Sequence, residues 1–187
     1  ADSNAQLSTA NVNTQMELER LGLELSRGDS ETALRDYTLR SREIYAKNSE
    51  GMSPLVLAEY DTNWATLNAK SELSLASTIA TKRSGERVAA TLSEVDIAVW
   101  QGAAATDEYA REGWKVAALS SIQARVDAND LKPEAAAKLR IKFENDFNDA
   151  VATNWVNRIP LNELDLAYAQ MNVGEFGDST MNETWAA

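Results

Sequence analysis

The apolar residues of this chain recur at intervals of three and four positions, which is the period of an amphipathic α-helix. The apolar positions of the first segment are Val12, Met16, Leu18, Leu21 and Leu25, and the pattern stops at Gly28. A second segment ends at Gly51 and has on one face Leu34, Tyr37, Ile44 and Tyr45. With Asp29 and Ser30 available to cap the second helix, residues 1–51 are predicted to form an N-terminal helical hairpin.

Proline and capping residues mark the later helix boundaries. Ser53 precedes Pro54, which suits the first position of a helix because the missing N–H has no partner there. Residues 55–100 contain no proline and one glycine, Gly85, so this stretch forms either one long helix or two helices with a break near residues 68–71. We favour two, since helices average about 11–12 residues. Thr106 is predicted to cap the next helix. Further boundaries are predicted near Asn129, Pro160 and Gly174.

Three further faces are predicted to be buried. A short coiled-coil-like seam consists of Val88, Leu92, Val95 and Val99. The next helix buries Trp114, Ala118, Ile122 and Val126. A third stripe contains Phe143, Phe147, Val151 and Trp155. This aromatic stripe could be a binding platform, but a core is favoured because burying each ring contributes about 2 kcal/mol or more.

The fold class follows from these patterns. No five-residue run alternates in the manner of a strand between turn residues, so the sequence predicts an all-α protein without a sheet. We expect six to eight helices, arranged as an elongated bundle or a series of helical hairpins. Residues 52–187 form the helical body. Thr180 and Glu183 form a capping box with little helix after it, so we expect the body to continue beyond residue 187 in a longer parent chain.

Composition removes most catalytic chemistry. The 187 residues include no cysteine and no histidine, which excludes Ser-His and Cys-His nucleophiles and His-ligated metals. Carboxylates two positions apart, such as Glu17 and Glu19 or Glu144 and Asp146, do not face each other on a helix. Residues 127–138 lack the glycine and glutamate of a calcium loop. We therefore expect no enzyme activity, no catalytic residues, no cofactor and no metal.

The net charge of −11 argues against stable nucleic-acid binding, because phosphate binding needs clustered Lys and Arg. After Arg158 the chain has no basic residue, so a surface that meets DNA there is expected to repel it. No apolar run reaches about 18 residues, so no transmembrane segment is predicted.

Three stretches in order resemble a known family. They read EGMSPLVLAEYDTNW (50–64), DEYAREGWKVAALSSIQARVDANDLKPEAAAKLRIKFENDF (107–147) and NRIPLNELDLAYAQMNVGEFGD (157–178). Their order resembles the helical body of internal virion proteins, the DNA-ejection proteins of short-tailed bacteriophages. The resemblance covers about residues 42–187 and matches no lytic transglycosylase domain.

The resemblance implies a structural virion component that assists genome delivery and associates with copies of itself or with sister virion proteins. A different interpretation remains open. The chain could be a secreted or periplasmic all-helical binding protein, in which case Ala1 would be its mature start. The two hypotheses predict different continuations of the encoding gene after residue 187: a continuing helical chain favours the virion protein, and a stop codon favours the secreted one.

Overall fold

The structure, a computed structural model, describes residues 2–160 and residue 163. This part of the chain forms α1 (Asp2–Arg27), α2 (Ala33–Ser49), α3 (Pro54–Ala104), α4 (Glu108–Asp127) and α5 (Pro133–Arg158). Since no strand occurs among the described residues, the predicted all-α class is confirmed. The described helices number five rather than the predicted six to eight. The boundary predicted at Gly174 and the capping box at residues 180–183 lie outside the described residues.

The proline and glycine signals place most helix ends correctly. α3 and α5 each begin at a proline, the residue type that is favoured at the first helical position. Gly51, two residues after α2, has a φ of +73°, and Asn129, two residues after α4, has a φ of +56°. Both values lie in the left-handed region that commonly terminates helices. The predicted boundaries at Gly28, Gly51, Asn129 and Pro160 are thus confirmed.

Two predicted caps are wrong. The N-cap of α4 is Asp107 rather than Thr106, and its carboxylate accepts a hydrogen bond of 2.8 Å from the backbone N–H of Ala110. A carboxylate here also complements the positive end of the helix dipole. Asp29 accepts from the N–H of Glu31 within the turn, and α2 starts only at Ala33.

The predicted break at residues 68–71 is also wrong, because α3 continues through it as one helix of 51 residues. The polar residues there bond to neighbouring helices instead of capping a new one. Tyr37 of α2 donates its hydroxyl to the Asn68 side-chain oxygen at 3.2 Å, and Ser71 donates to the Leu18 carbonyl of α1 at 3.3 Å. These tertiary hydrogen bonds satisfy the side chains that would otherwise compete with the helix backbone.

The chain divides into two compact units, Ala1–Ser84 and Gly85–Ala187. In the N-terminal unit, α1, α2 and the first part of α3 enclose two apolar clusters. The buried members of one are Leu18, Leu21, Ala33, Tyr37, Leu75 and Ile79. Those of the other are Leu7, Ala10, Val56 and Tyr60. Thr14 and Tyr60, both completely buried, share a hydrogen bond of 2.6 Å between their hydroxyls, so the polar threonine is accommodated inside the unit.

In the C-terminal unit, the last part of α3 packs with α4 and α5. The buried apolar residues of its core are Val95, Ala98, Ala118, Ile122, Ala136, Phe143 and Phe147. Phe143 and Phe147 of the predicted aromatic stripe are therefore core residues, with ring centroids 5.6 Å apart, and Val151 packs partly buried against them. The interpretation of this stripe as core rather than as a binding platform agrees with their burial.

Some predicted core positions are exposed. Val12 and Met16 are 54% and 56% exposed, whereas Leu18 and Leu21 of the same predicted face are buried. The positions buried in place of Val12 and Met16 are Ala10 and Thr14. On α3, Leu92 is 42% exposed. The buried line there is Thr91, Val95 and Ala98, so Val95 of the predicted seam is buried as expected and Val99 packs partly buried beside it, whereas Thr91 takes the place of Leu92. Small Ala98 and Gly102 lie on this line, and they let the Phe147 ring of α5 approach closely. Trp114 remains 38% exposed, in keeping with the polar N–H of its indole.

Candidate helix-binding groove

A groove of about 400 Å³ lies between α1 and α3 in the N-terminal unit. The α1 residues that line this α1–α3 groove are Gln15, Leu18, Glu19, Gly22, Leu23 and Ser26. The α3 residues are Leu67, Lys70, Ser71, Ser74, Leu75 and Thr78. The residues of each helix recur every three or four positions, so each helix contributes one continuous wall.

The floor of the groove is apolar and held by the core. Leu18 and Leu75 are 1% and 3% exposed and belong to the buried cluster of this unit. At the floor the two helices are joined by the hydrogen bond from Ser71 to the Leu18 carbonyl. Gly22 faces Ser71, and a Cβ on Gly22 would lie 3.7 Å from the serine oxygen. Small residues at this crossing therefore leave room above the floor.

An apolar ridge runs along α1 beside the groove. Val12, Met16 and Leu23 are 54%, 56% and 55% exposed. Together with Glu19 they follow a four-three-four spacing, which places them along one face of the helix. We call Val12, Met16 and Leu23 the α1 ridge. An exposed row of large apolar side chains next to an apolar floor is the arrangement that accepts an amphipathic helix.

Charge is scarce on this surface. Among the residues lining the groove only Glu19 and Lys70 are charged, and their charges are opposite. Glu19 accepts a hydrogen bond of 2.9 Å from Gln15 one turn earlier. The groove is thus close to neutral in a chain whose net charge is −11.

The contact between α1 and α2 has the opposite character. Arg40 of α2 holds Glu24 of α1 through two hydrogen bonds of 2.7 and 3.1 Å, and Lys47 bonds to Glu17. The hydrogen bond from Lys47 lowers the pKa of Glu17, and the one from Arg40 lowers the pKa of Glu24. These carboxylates remain ionised and paired. The two ion pairs therefore hold α1 against α2 and do not act as reactive groups.

Tyrosines at the other end of the same unit are also used structurally. Burial raises the pKa of Tyr60, whose hydroxyl is shared with Thr14. Tyr45 donates to Asp61 at 2.6 Å, and this hydrogen bond raises the pKa of Tyr45. Both phenols stay protonated well above neutral pH, which suits packing and hydrogen bonding rather than proton transfer.

The carboxylates considered in the sequence do not gather into a site. Glu17 pairs with Lys47, whereas Glu19 lies in the groove, and Asp146 pairs with Lys142 on α5. In the calcium-like segment, Asp130 binds two arginines rather than an open cavity. Within residues 2–160 and residue 163, no group of three or more acidic side chains is placed to hold a metal ion.

Sequence reasoning did not find the groove. The hydrophobic pattern assigns Val12 and Met16 to the buried face, although α1 has two apolar faces. The signal is present in the spacing of Val12, Met16 and Leu23, which runs beside the buried line through Thr14, Leu18 and Leu21. A threonine inside the core is invisible to a hydrophobic pattern unless its partner Tyr60 is known.

Comparison of the chain with protein-family models, curated proteins and solved structures gives no match. In the described part of the chain, every helix is too short or too polar to cross a bilayer.

Proposed function

We propose that this chain is a structural, non-enzymatic component of a phage particle, part of an internal ejection protein that assists genome delivery. Within the particle it works without cofactor or metal and assembles with copies of itself or with sister virion proteins. The ordered resemblance over residues 42–187 is the reason for placing it in a virion. The α1–α3 groove is the single structural observation that supports assembly as its activity.

A second copy of the chain is the occupant that suits this groove best. Two chains of net charge −11 repel each other, and the repulsion is weakest where the facing surfaces carry little net charge. The groove has one acidic and one basic lining residue, and the α1 ridge beside it is uncharged. Each copy therefore offers both apolar side chains and an apolar floor, which is the self-complementarity that a symmetric pair requires.

Contacts with DNA are proposed to be repulsive rather than adhesive. Six basic side chains in the described part of the chain are already in ion pairs: Arg35, Arg40, Lys47, Arg87, Arg125 and Lys142. Three others donate to backbone carbonyls: Lys82, Arg83 and Arg158. With these cations engaged and acidic residues in excess, counterion release would provide little affinity for phosphate.

The size of the groove favours a second candidate function. A volume of about 400 Å³ with an apolar floor falls within the range of small-molecule sites. This feature supports the alternative of a secreted or periplasmic helical binding protein, with the groove as its ligand site. Mass spectrometry of purified phage particles separates the two locations, because a virion component is present at stoichiometric amounts and a secreted protein is absent.

Sedimentation velocity of the 187-residue chain tests the assembly surface. Leu23→Asp places a charge on the groove wall and should shift the protein toward monomer. Leu39→Asp is the matched control, because Leu39 of α2 is 56% exposed against 55% for Leu23 and does not line the groove. We expect the control to associate as the unchanged chain does. A monomeric unchanged chain, or equal effects of the two variants, would rule out assembly through this groove.

A further inference from the structure

The middle of α3 contains an exposed glycine that packing does not explain. α3 has 51 residues, about 77 Å at 1.5 Å per residue, and Gly85 follows Ser84 in its interior. Glycine inside a helix is unfavourable by about a factor of five in local helix stability compared with alanine. Sharp bends in long helices occur at such Gly/Ser pairs.

The two glycines in the second half of α3, Gly85 and Gly102, differ in their steric need for glycine. A Cβ on Gly102 would lie 2.2 Å from the Phe147 ring, so only glycine fits there. A Cβ on Gly85 would meet nothing within 4 Å. Alanine would therefore fit at position 85, and the consequence of glycine there is a locally weaker helix.

The core does not hold this part of α3. Ile79 is the last buried residue before it and Thr91 is the next one after it. No residue between these two positions is buried. A helix segment without core contacts is stabilised mainly by its own backbone hydrogen bonds, and glycine weakens these most.

On each side of the glycine, side chains of α3 form hydrogen bonds with a loop. Before it, Lys82 donates to the Gly28 carbonyl at 2.6 Å and Arg83 donates to the Ser30 carbonyl at 2.7 Å. After it, Arg87 forms two hydrogen bonds with Asp130 at 2.6 and 2.7 Å. Each of these contacts joins residues of the same unit, since the division between the units falls between Ser84 and Gly85.

We propose that Ser84 and Gly85 form a hinge at which α3 bends while the core of each unit stays intact. The bend lies between the segment hydrogen-bonded through Lys82 and Arg83 and the segment hydrogen-bonded through Arg87. Bending there leaves the packing of both cores unchanged. It is a conformational device of the fold, and it stands whether or not the proposed virion role is correct.

Spin-label distances across the hinge test this proposal. The chain has no cysteine, so Ser77→Cys and Ser93→Cys, both at exposed positions of α3, give one labelled pair. In a straight helix their Cα atoms are about 24 Å apart. We expect the unchanged chain to show a broad distribution that extends below this distance, and Gly85→Ala to narrow it around the straight-helix value.

Gly113→Ala is the matched control, because Gly113 is an exposed glycine of α4 and a Cβ there also meets nothing within 4 Å. This variant should leave the distance distribution unchanged. Hydrogen exchange gives a second readout: the amides of residues 85–89 should exchange about fivefold more slowly in Gly85→Ala, following the difference in helix propensity. A narrow distribution in the unchanged chain, or equal distributions in the chain and Gly85→Ala, would overturn the hinge.

Discussion

At the residue scale, close approach between helices depends on a few small side chains. Gly102 of α3 lies against the Phe147 ring of α5, and Ala98, one turn earlier, is 2% exposed. Together they leave the space that a phenyl ring occupies in the core of the C-terminal unit. The usual preference of helices for alanine over glycine is reversed at such a position, because the added methyl group has no room.

Gly102→Ala should therefore destabilise the protein although it raises helix propensity. The new Cβ would lie 2.2 Å from Phe147, so the buried ring must shift, and overpacking of this kind costs about 1–3 kcal/mol. Gly113→Ala, at an open helical position, should instead add up to about 1 kcal/mol. Urea denaturation followed by circular dichroism measures both free energies of unfolding. Equal stabilisation by the two alanines would contradict the packing of Phe147 against Gly102.

At the element scale, the sequence predicts where helices begin and end better than which face they bury. Proline at the start of α3 and α5, and the left-handed Gly51 and Asn129 after α2 and α4, act through local backbone geometry, which a short stretch of sequence contains. The continuity of α3 through residues 68–71 depends on partners in other helices, which local sequence does not contain.

The buried faces illustrate the same limit. Thr14 occupies a core position, where Tyr60 satisfies its hydroxyl. Thr91 is also buried, whereas the neighbouring Leu92 is exposed. A hydrophobic pattern places Leu92 in the core instead of Thr91, and it places Val12 and Met16, one turn or less from Thr14, on the buried face. The α1–α3 groove could not be predicted for this reason, since the pattern assigns its ridge residues Val12 and Met16 inward.

A buried carboxylate in the loop between α4 and α5 joins this loop to two helices. The Asp130 side chain is 3% exposed and bonds to Arg87 of α3 and Arg125 of α4. The backbone N–H of Asp130 also donates to the Arg125 carbonyl at the end of α4. The buried carboxylate of Asp130 therefore joins the loop to two helices through charge-assisted hydrogen bonds.

Asp130→Asn should cost about 1–3 kcal/mol, because it removes the charge that two arginines share and leaves a buried amide with fewer acceptor sites. Arg35→Gln is the control: Arg35 and its partner Asp36 have side chains 72% and 36% exposed, so loss of this surface pair should change stability by less than about 0.5 kcal/mol. Thermal unfolding of both variants in the same buffer provides the comparison. Similar small losses for both would show that the Asp130 contacts add nothing beyond a surface pair.

At the scale of the whole molecule, charge opposes assembly and apolar surface favours it. The chain carries 29 acidic and 18 basic residues, so two copies approach against a net repulsion. The neutral α1–α3 groove is proposed as the place where the repulsion is smallest. The sign of the salt dependence then distinguishes an apolar interface from one that depends on ion pairs between copies.

We predict that self-association of the 187-residue chain strengthens as salt is raised. The Debye length falls from about 30 Å at 0.01 M to about 8 Å at 0.15 M, which screens the repulsion between two charges of −11 but not the burial of apolar side chains. Because unscreened repulsion at this charge reaches several kcal/mol, the dissociation constant should fall on the order of tenfold over this range. Sedimentation equilibrium at salt concentrations across this range measures the dissociation constant.

Binding to duplex DNA, if present at low salt, must change in the opposite direction, since phosphate contacts weaken as salt rises. A dissociation constant that rises with salt would mean that ion pairs such as Glu19 with Lys70 of the other copy hold the assembly together, and the apolar groove would lose its role.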